Sequence, residues 1–201
     1  MTKQDRAVRT RAALIRSAAT EFDRSGYAGA SMSQITKTAG LSTGALTFHF
    51  SSKSELADAV VTQARAQVVD VLDEVALNTA GTPMDRLGAV VIALARALHD
   101  DVEVRGAARL EQERPGNAPN WSADWYPVIR HLAGLACRSG DVPGSVRSDQ
   151  VAALAALFVR GADLHGRTHR GHDPGGCPFE EFADLWSIAR RGLLAASDPA
   201  A

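Results

Sequence analysis

Residues 31–53, SMSQITKTAGLSTGALTFHFSSK, decide how the rest of the chain is read. Ser31 followed three residues later by Gln34 is a capping box, in which a hydroxyl and an amide side chain satisfy the orphan amides of a helix start. It predicts a short helix through Thr38 or Ala39. Gly40-Leu41-Ser42 makes a tight turn, and a second short helix is expected over about Thr43–His49. Ser52-Lys53-Ser54-Glu55 is another box, opening a long helix that runs to about Asn78. Two short helices around Ala39-Gly40-Leu41-Ser42 have helix-turn-helix spacing: Ala39 is small where the helices cross, Gly40 permits the bend, and Leu41 plugs the core. Ile35, Leu46, Phe48 and Phe50 are expected inside, holding the second helix on the first. Thr43, Gly44, Ala45, Thr47 and His49 then face outward, a small surface whose hydroxyls and methyl groups suit base edges in a major groove.

Outward from this segment the apolar spacing is helical nearly everywhere. Val8, Ala12, Ile15, Ala18, Ala19 and Phe22 recur at steps of three and four, with Gly26 as the C-terminal stop. Downstream, Gly81-Thr82-Pro83 breaks the chain before a helix marked by Met84, Leu87, Val91, Leu94 and Leu98. Asp101–Arg114 is expected as a helix stopped by Pro115-Gly116, then a loop to 122. Helices follow over about Ala123–Arg138 and Ser148–His165, a polar connection over Gly166–Gly176, and a last helix marked by Phe179, Phe182, Leu185, Trp186, Ala189 and Leu193. No strand shows convincing alternation and no segment repeats, so the 201-residue chain is expected to be all-α, with 45% hydrophobic but only 5% aromatic residues.

The net charge of −1 is silent about nucleic acid, but its distribution is not. Residues 1–53 carry eight basic and three acidic groups, leaving the remainder at −6. A basic head on an acidic body lets the head approach phosphates while the body stays away from them. Cys137 and Cys177 fit no disulfide framework, which points to a reducing, cytoplasmic setting. The polar start MTKQDRAVRT lacks a signal-peptide core, and no apolar run approaches the ~20 residues needed to span a bilayer. No nucleophile–base constellation or phosphate-binding glycine loop appears, so neither an enzyme nor a cofactor is expected.

The order of capping box, AGLSTGAL, FHF and SSKSEL, preceded by VRTRAALIRSAATEFDRSGYAGASM, resembles the N-terminal domain of the TetR family of repressors. RTRAALIRSAATEFDRSGY, the GAL-x-FHF segment, and VRGAARLEQER followed by Trp125 are similar to the gamma-butyrolactone receptor branch, which includes receptors for butenolide and furan signals. The resemblance implies a helix-turn-helix DNA-binding domain over 1–52 and a ligand-binding and dimerisation domain over 53–201. It implies a homodimer on palindromic operator DNA, with recognition helices roughly 34–36 Å apart, released by a small-molecule effector. Antibiotic-biosynthesis genes would be the targets. Alternatives are a multidrug-sensing repressor of an efflux pump and a ligand-blind pseudo-receptor.

Site roles carry over by position. Thr43–His49 would be the recognition helix. His49, Lys53, Ser31 and Ser33 would meet phosphates, and Lys3, Arg6, Arg9 and Arg11 would form an arm to the backbone or a minor groove. Ser31, Ser42 and Ser52 cap helices whether or not they touch DNA. The family commonly has Tyr where this chain has Thr47. In the body, Trp125 occupies the position of the Trp that covers the ligand, a flat apolar face with one N–H donor. Gln63, Trp121, Arg109, Glu111 and Gln112 are expected near the same mouth, the arginine favouring an acidic ligand. Val159 stands where butyrolactone receptors show Thr, and it cannot donate that hydrogen bond. Val151, Leu154, Leu157, Phe158, Phe182, Leu185, Trp186, Ala189 and Leu193 are candidates for a four-helix dimer interface. His165, His169, His172 and Cys177 have ligand chemistry but irregular spacing, with Arg167 and Arg170 beside them; they read as a polar loop and no metal is expected.

Overall fold

Ser31 accepts a hydrogen bond from the Gln34 amide at 3.1 Å, and Ser42 does the same for Ala45 at 3.2 Å. These two caps open the short helices on which the reading turned. In the computed structural model, which describes residues 2–78, 80–114, 120–169 and 178–195, the order is α1 (Lys3–Gly29), α2 (Met32–Ala39), α3 (Thr43–His49), α4 (Lys53–Leu77), α5 (Pro83–Asp100), α6 (Val102–Glu113), a 3₁₀ turn at Trp121–Ala123, α7 (Trp125–Ser139), α8 (Ser148–His169) and α9 (Pro178–Ala195). Among the described residues every regular element is helical. The chain divides into two compact units, Met1–Gln67 with Asp101–Ser122, and Val68–Asp100 with Ala123–Ala201. Helix α4 runs unbroken from the first unit into the second.

The first unit is built on α1. Its buried face carries Leu14, Ile15, Ala18, Ala19 and Phe22, and Ile35 of α2, Leu46 of α3, Phe50 and Leu56 complete the core. Gly40 ends α2 at φ 64°, a left-handed conformation that a Cβ disfavours. Helix α6 lies against α1. Gly106 permits this, because an added Cβ would stand 2.9 Å from the Ala19 carbonyl oxygen. The seam is then locked by charge: Arg105 bonds Asp23 at 2.9 Å, and Arg16 bonds Glu103 at 3.2 Å. Glu21, only 2% exposed, joins α1 to α2 by accepting from Thr38 at 2.8 Å and Arg24 at 2.7 Å. A buried carboxylate is tolerated only with such partners.

In the second unit α5 is the central helix, packed by α7, α8 and α9. Leu87, Val91, Leu94 and Leu98 of α5, Ile129 and Ala133 of α7, and Val151, Ala155 and Val159 of α8 are all buried. Phe158 meets Phe182 and Trp186 edge-on, with ring centroids 5.9 and 5.1 Å apart.

Three local expectations are corrected. Gly26 does leave helical geometry (φ 70°, ψ 176°), but a further turn reaches Gly29, so the stop is a kink. Helix α8 passes the expected end at His165 and reaches His169, its last turns supported by the Arg167–Asp163 ion pair at 2.9 Å and by Thr168 donating to the His165 carbonyl. One glycine, Gly166, does not end a helix so braced. The supposed N-terminal arm is helix: Thr2 and Asp5 form a reciprocal capping box, so Arg6, Arg9 and Arg11 sit on the first turns of α1. The side chains of Lys3 and His169, with Pro115, Gly116, Arg170, His172 and Cys177, lie outside the described residues.

Candidate nucleic-acid interface and body surfaces

Helix α3 is held from behind and open in front. Leu46 is fully buried and Phe50 is 1% exposed, four residues apart on the face turned to α1 and α2. Thr43, Gly44 and Thr47 are exposed, Ala45 and His49 half-exposed. The Thr47 hydroxyl donates to the Thr43 and Gly44 carbonyls, each at 3.2 Å. Its proton is therefore spent within the helix, and its lone pairs face outward as acceptors for a base amino group. Gly44 has only Ser42 Oγ, at 3.9 Å, near the place a Cβ would take, so backbone here can approach a partner closely.

Phe48 corrects the expectation that it is core. It is 81% exposed, edge-on to the His49 ring at 5.1 Å. The signal was present in the sequence: with Leu46 and Phe50 fixing the inner face, position 48 lies about 200° round the helix from Leu46. An exposed phenyl on this surface is an apolar contact that the reading missed.

The other expected DNA residues differ in availability. Ser31 and Ser33 are exposed at the start of α2, the former already capping it. Arg9 is exposed on α1. Lys53 is turned inward: its ammonium donates to the carbonyls of Tyr27 at 2.8 Å and Ala30 at 3.0 Å, and lies 4.6 Å from the Tyr27 ring centroid. It ties the start of α4 to the corner between α1 and α2.

The expected effector residues fall in both units. Gln63, Arg109, Gln112 and Trp121 belong to the first, Trp125 and Val159 to the second. Gln63 is exposed and lines a groove of about 310 Å³ with Ala12, Ala13, Ile15, Arg16 and Glu103. Arg109 is committed to α1, donating to the Asp23 carbonyl at 2.7 Å and to Glu113 at 2.8 Å. Glu111 accepts from the Ser122 hydroxyl and amide at 2.9 and 3.1 Å, while Gln112 is exposed. Trp121, Trp125 and Val159 are buried, Trp125 completely. Among the described residues no group of three metal-ligating side chains gathers.

On the second unit, α8 and α9 present Leu157, Leu164, Leu185 and Ile188 to the outside. Leu154 and Phe158 are half-buried beside them, around an apolar groove of about 310 Å³. Val151, Phe182 and Trp186 are turned into their own unit, and Ala189 and Leu193 are half-buried. Leu164 and Ile188 were not expected.

A capped pair of short helices with a small, exposed second helix, on an otherwise helical chain, defines a helix-turn-helix DNA-binding regulator. Residues 14–60 match the model of the N-terminal domain of the TetR family of bacterial regulatory proteins. The chain is 29% identical to the A-factor receptor protein of Streptomyces griseus over 207 aligned positions, covering 99% of this chain and 71% of that protein. Among solved structures it is similar to CprB of Streptomyces coelicolor in complex with its biological operator, with 26% identity, 96% of each chain covered and a TM-score of 0.75. A gamma-butyrolactone receptor described as ArpA-like matches at 25% identity over 92% of this chain and 99% of that one, with a TM-score of 0.68. No described helix is long and apolar enough to cross a membrane.

Proposed function

We propose that the chain is a ligand-responsive transcriptional repressor that binds a palindromic operator as a homodimer and is released by a signalling molecule of the gamma-butyrolactone, butenolide or furan type. Antibiotic-biosynthesis genes are the expected targets. The observation that carries the reading is the outward surface of α3: Thr43, Gly44, Ala45, Thr47 and Phe48 stand free of a rigid support made by Leu46 and Phe50. The similarity to CprB bound to its operator, over nearly the whole of both chains, supports the same use of this surface. The exposed leucines and Ile188 on α8 and α9 are the surface for a second copy of the chain.

The functional division is taken at 52/53, yet two elements beyond it are joined to the reading head. Helix α4 begins directly after α3 and carries Lys53 into the α1–α2 corner. Helix α6 grips α1 through Arg105, Arg109 and Glu113, the last accepting from the Tyr27 amide at 2.5 Å. An effector that displaces either helix displaces the head with it. Moving the population from 1:99 to 99:1 takes about 5.5 kcal/mol of differential affinity, within reach of a buried small molecule.

The ligand-blind alternative is favoured by two observations. Val159 is buried and offers no donor, and Arg109 is already occupied by α1. Gel shifts with the DNA upstream of the chain's own gene, at fixed salt, followed by addition of synthetic butyrolactones, butenolides and furan carboxylates, separate the readings. A shift reversed by one of these supports the receptor; a shift none reverses supports the blind regulator. No shift at submicromolar protein overturns both.

A further inference from the structure

Away from its exposed apolar side, α9 turns another face to α5, and the two helices enclose a groove of about 460 Å³. Gly88, Ile92 and Arg96 of α5 line it, with Ala183, Trp186 and Arg190 of α9. Arg190 lies about 200° round the helix from exposed Ile188, so this face is separate from the surface assigned to the second copy.

Two buried N–H donors in this groove have no acceptor among the described residues, the Trp186 indole Nε1 and the Arg190 Nε. Trp186 is 97% buried by its 3% exposure, and buried donors are seldom left unmade without a reason. Both sit beside Gly88. A Cβ there would stand 3.2 Å from the indole nitrogen and 4.0 Å from Arg190 Cδ, so only a bare glycine leaves the indole nitrogen uncrowded by α5.

Charge in the groove is unbalanced. Arg190 pairs with Asp85, but the same carboxylate also accepts from the Thr82 amide at 2.9 Å to cap α5. The Arg96 guanidinium lies 4.6 Å from the Phe179 ring centroid, a cation–π contact that leaves its hydrogen-bonding edge unused. The groove thus holds two guanidinium groups and one carboxylate, paired with Arg190, over a floor that includes Ile92 and Ala183.

We propose that the α5–α9 groove is a binding site for a small aliphatic carboxylate. The anion lies between Arg96 and Arg190 and accepts from the Trp186 indole, and its hydrocarbon chain covers Ile92 and Ala183. The apolar floor favours an acyl carboxylate over an inorganic anion. Competition with Asp85 draws the Arg190 head group toward the ligand and shifts its stem from in front of the indole. The site is separate from Trp125 and stands whether or not the chain answers to a butyrolactone.

The test uses the full-length protein without DNA, labelled with ¹⁵N. Its three tryptophans give three indole N–H signals, and W186F assigns the relevant one. Titration with hexanoate is expected to move or broaden the Trp186 signal saturably, while hexanamide leaves it in place. R96Q, an exposed-site change that leaves the core intact, and G88A, which crowds the indole nitrogen, are each expected to weaken binding at least about tenfold. The proposal is overturned if the Trp186 signal stays fixed, if hexanamide moves it equally, if only Trp125 responds, or if R96Q binds hexanoate like the parent.

Discussion

The Lys53 ammonium bonds the Tyr27 carbonyl at 2.8 Å and lies 4.6 Å from the same residue's ring centroid. Arg114 stacks on that ring as well, its guanidinium carbon 4.8 Å from the centroid. Tyr27 is thus a hub joining α1, the start of α4 and the end of α6. Charged hydrogen bonds to backbone contribute about 1.5–3 kcal/mol each. Lys53→Met should lower stability to urea by about that much. A lysine bound to phosphate would contribute about 0.9 to the slope of log affinity against log salt. For K53M the slope should stay that of the parent while affinity falls; a slope reduced by about one, with stability unchanged, would assign Lys53 to DNA instead.

Phe48 and Phe50 should separate function from stability. Phe48→Ala removes an exposed ring, so stability should change by no more than about 0.5 kcal/mol, while operator affinity falls about tenfold with loss of apolar contact to the groove. Phe50→Ala empties a core position and should cost about 3–5 kcal/mol. Denaturant melts and gel shifts on both variants decide; an F48A protein that melts early yet binds operator normally contradicts the assignment.

Dimerisation should depend on the outer leucines and not on the large aromatic residues of α9. Leu185→Glu with Ile188→Glu places two charges on the exposed face and should give a folded monomer by light scattering, with normal helical content by circular dichroism. If the double variant still elutes as a dimer, the subunit contact lies elsewhere.

Acid should loosen the junction between α3 and α4. The Ser51 hydroxyl and then its amide, both donating to Glu55 at 2.7 Å, hold that carboxylate below its ordinary value of 4.5, with Arg11 assisting. A folded-state pKa that is depressed contributes stability fully present above the unfolded value and lost as pH falls through the folded one. The melting temperature should therefore decline below about pH 4.5, and Glu55→Gln should flatten that part of the decline without altering the plateau near neutrality. An identical acid limb in E55Q would show that other carboxylates account for it.

The helix-turn-helix was legible because its information is local. Hydroxyls at helix starts, a glycine at the turn and apolar residues at helical spacing act over a few positions, and they place α2 and α3 where the caps are found. The inner and outer faces of α3 were legible too, apart from Phe48, where an aromatic beside buried neighbours was read as core against the helical period. Sequence also revealed the excess of positive charge in the first 53 residues.

Which charges and rings are available was decided only by the tertiary structure. Lys53 and Arg109 are cations on helices in any reading of the sequence, yet carbonyls of α1 occupy both: Lys53 reaches Tyr27 from the start of α4, and Arg109 reaches Asp23 from α6, which approaches α1 closely at Gly106. Trp186 shares its helix with Leu185, and only the packing of α5 against α9 turns the indole inward while leaving the leucine outside. Local propensity sets where a helix begins and ends. Long-range packing determines which of its donors, charges and apolar groups remain for a partner, since each contact inside the fold withdraws one from the surface.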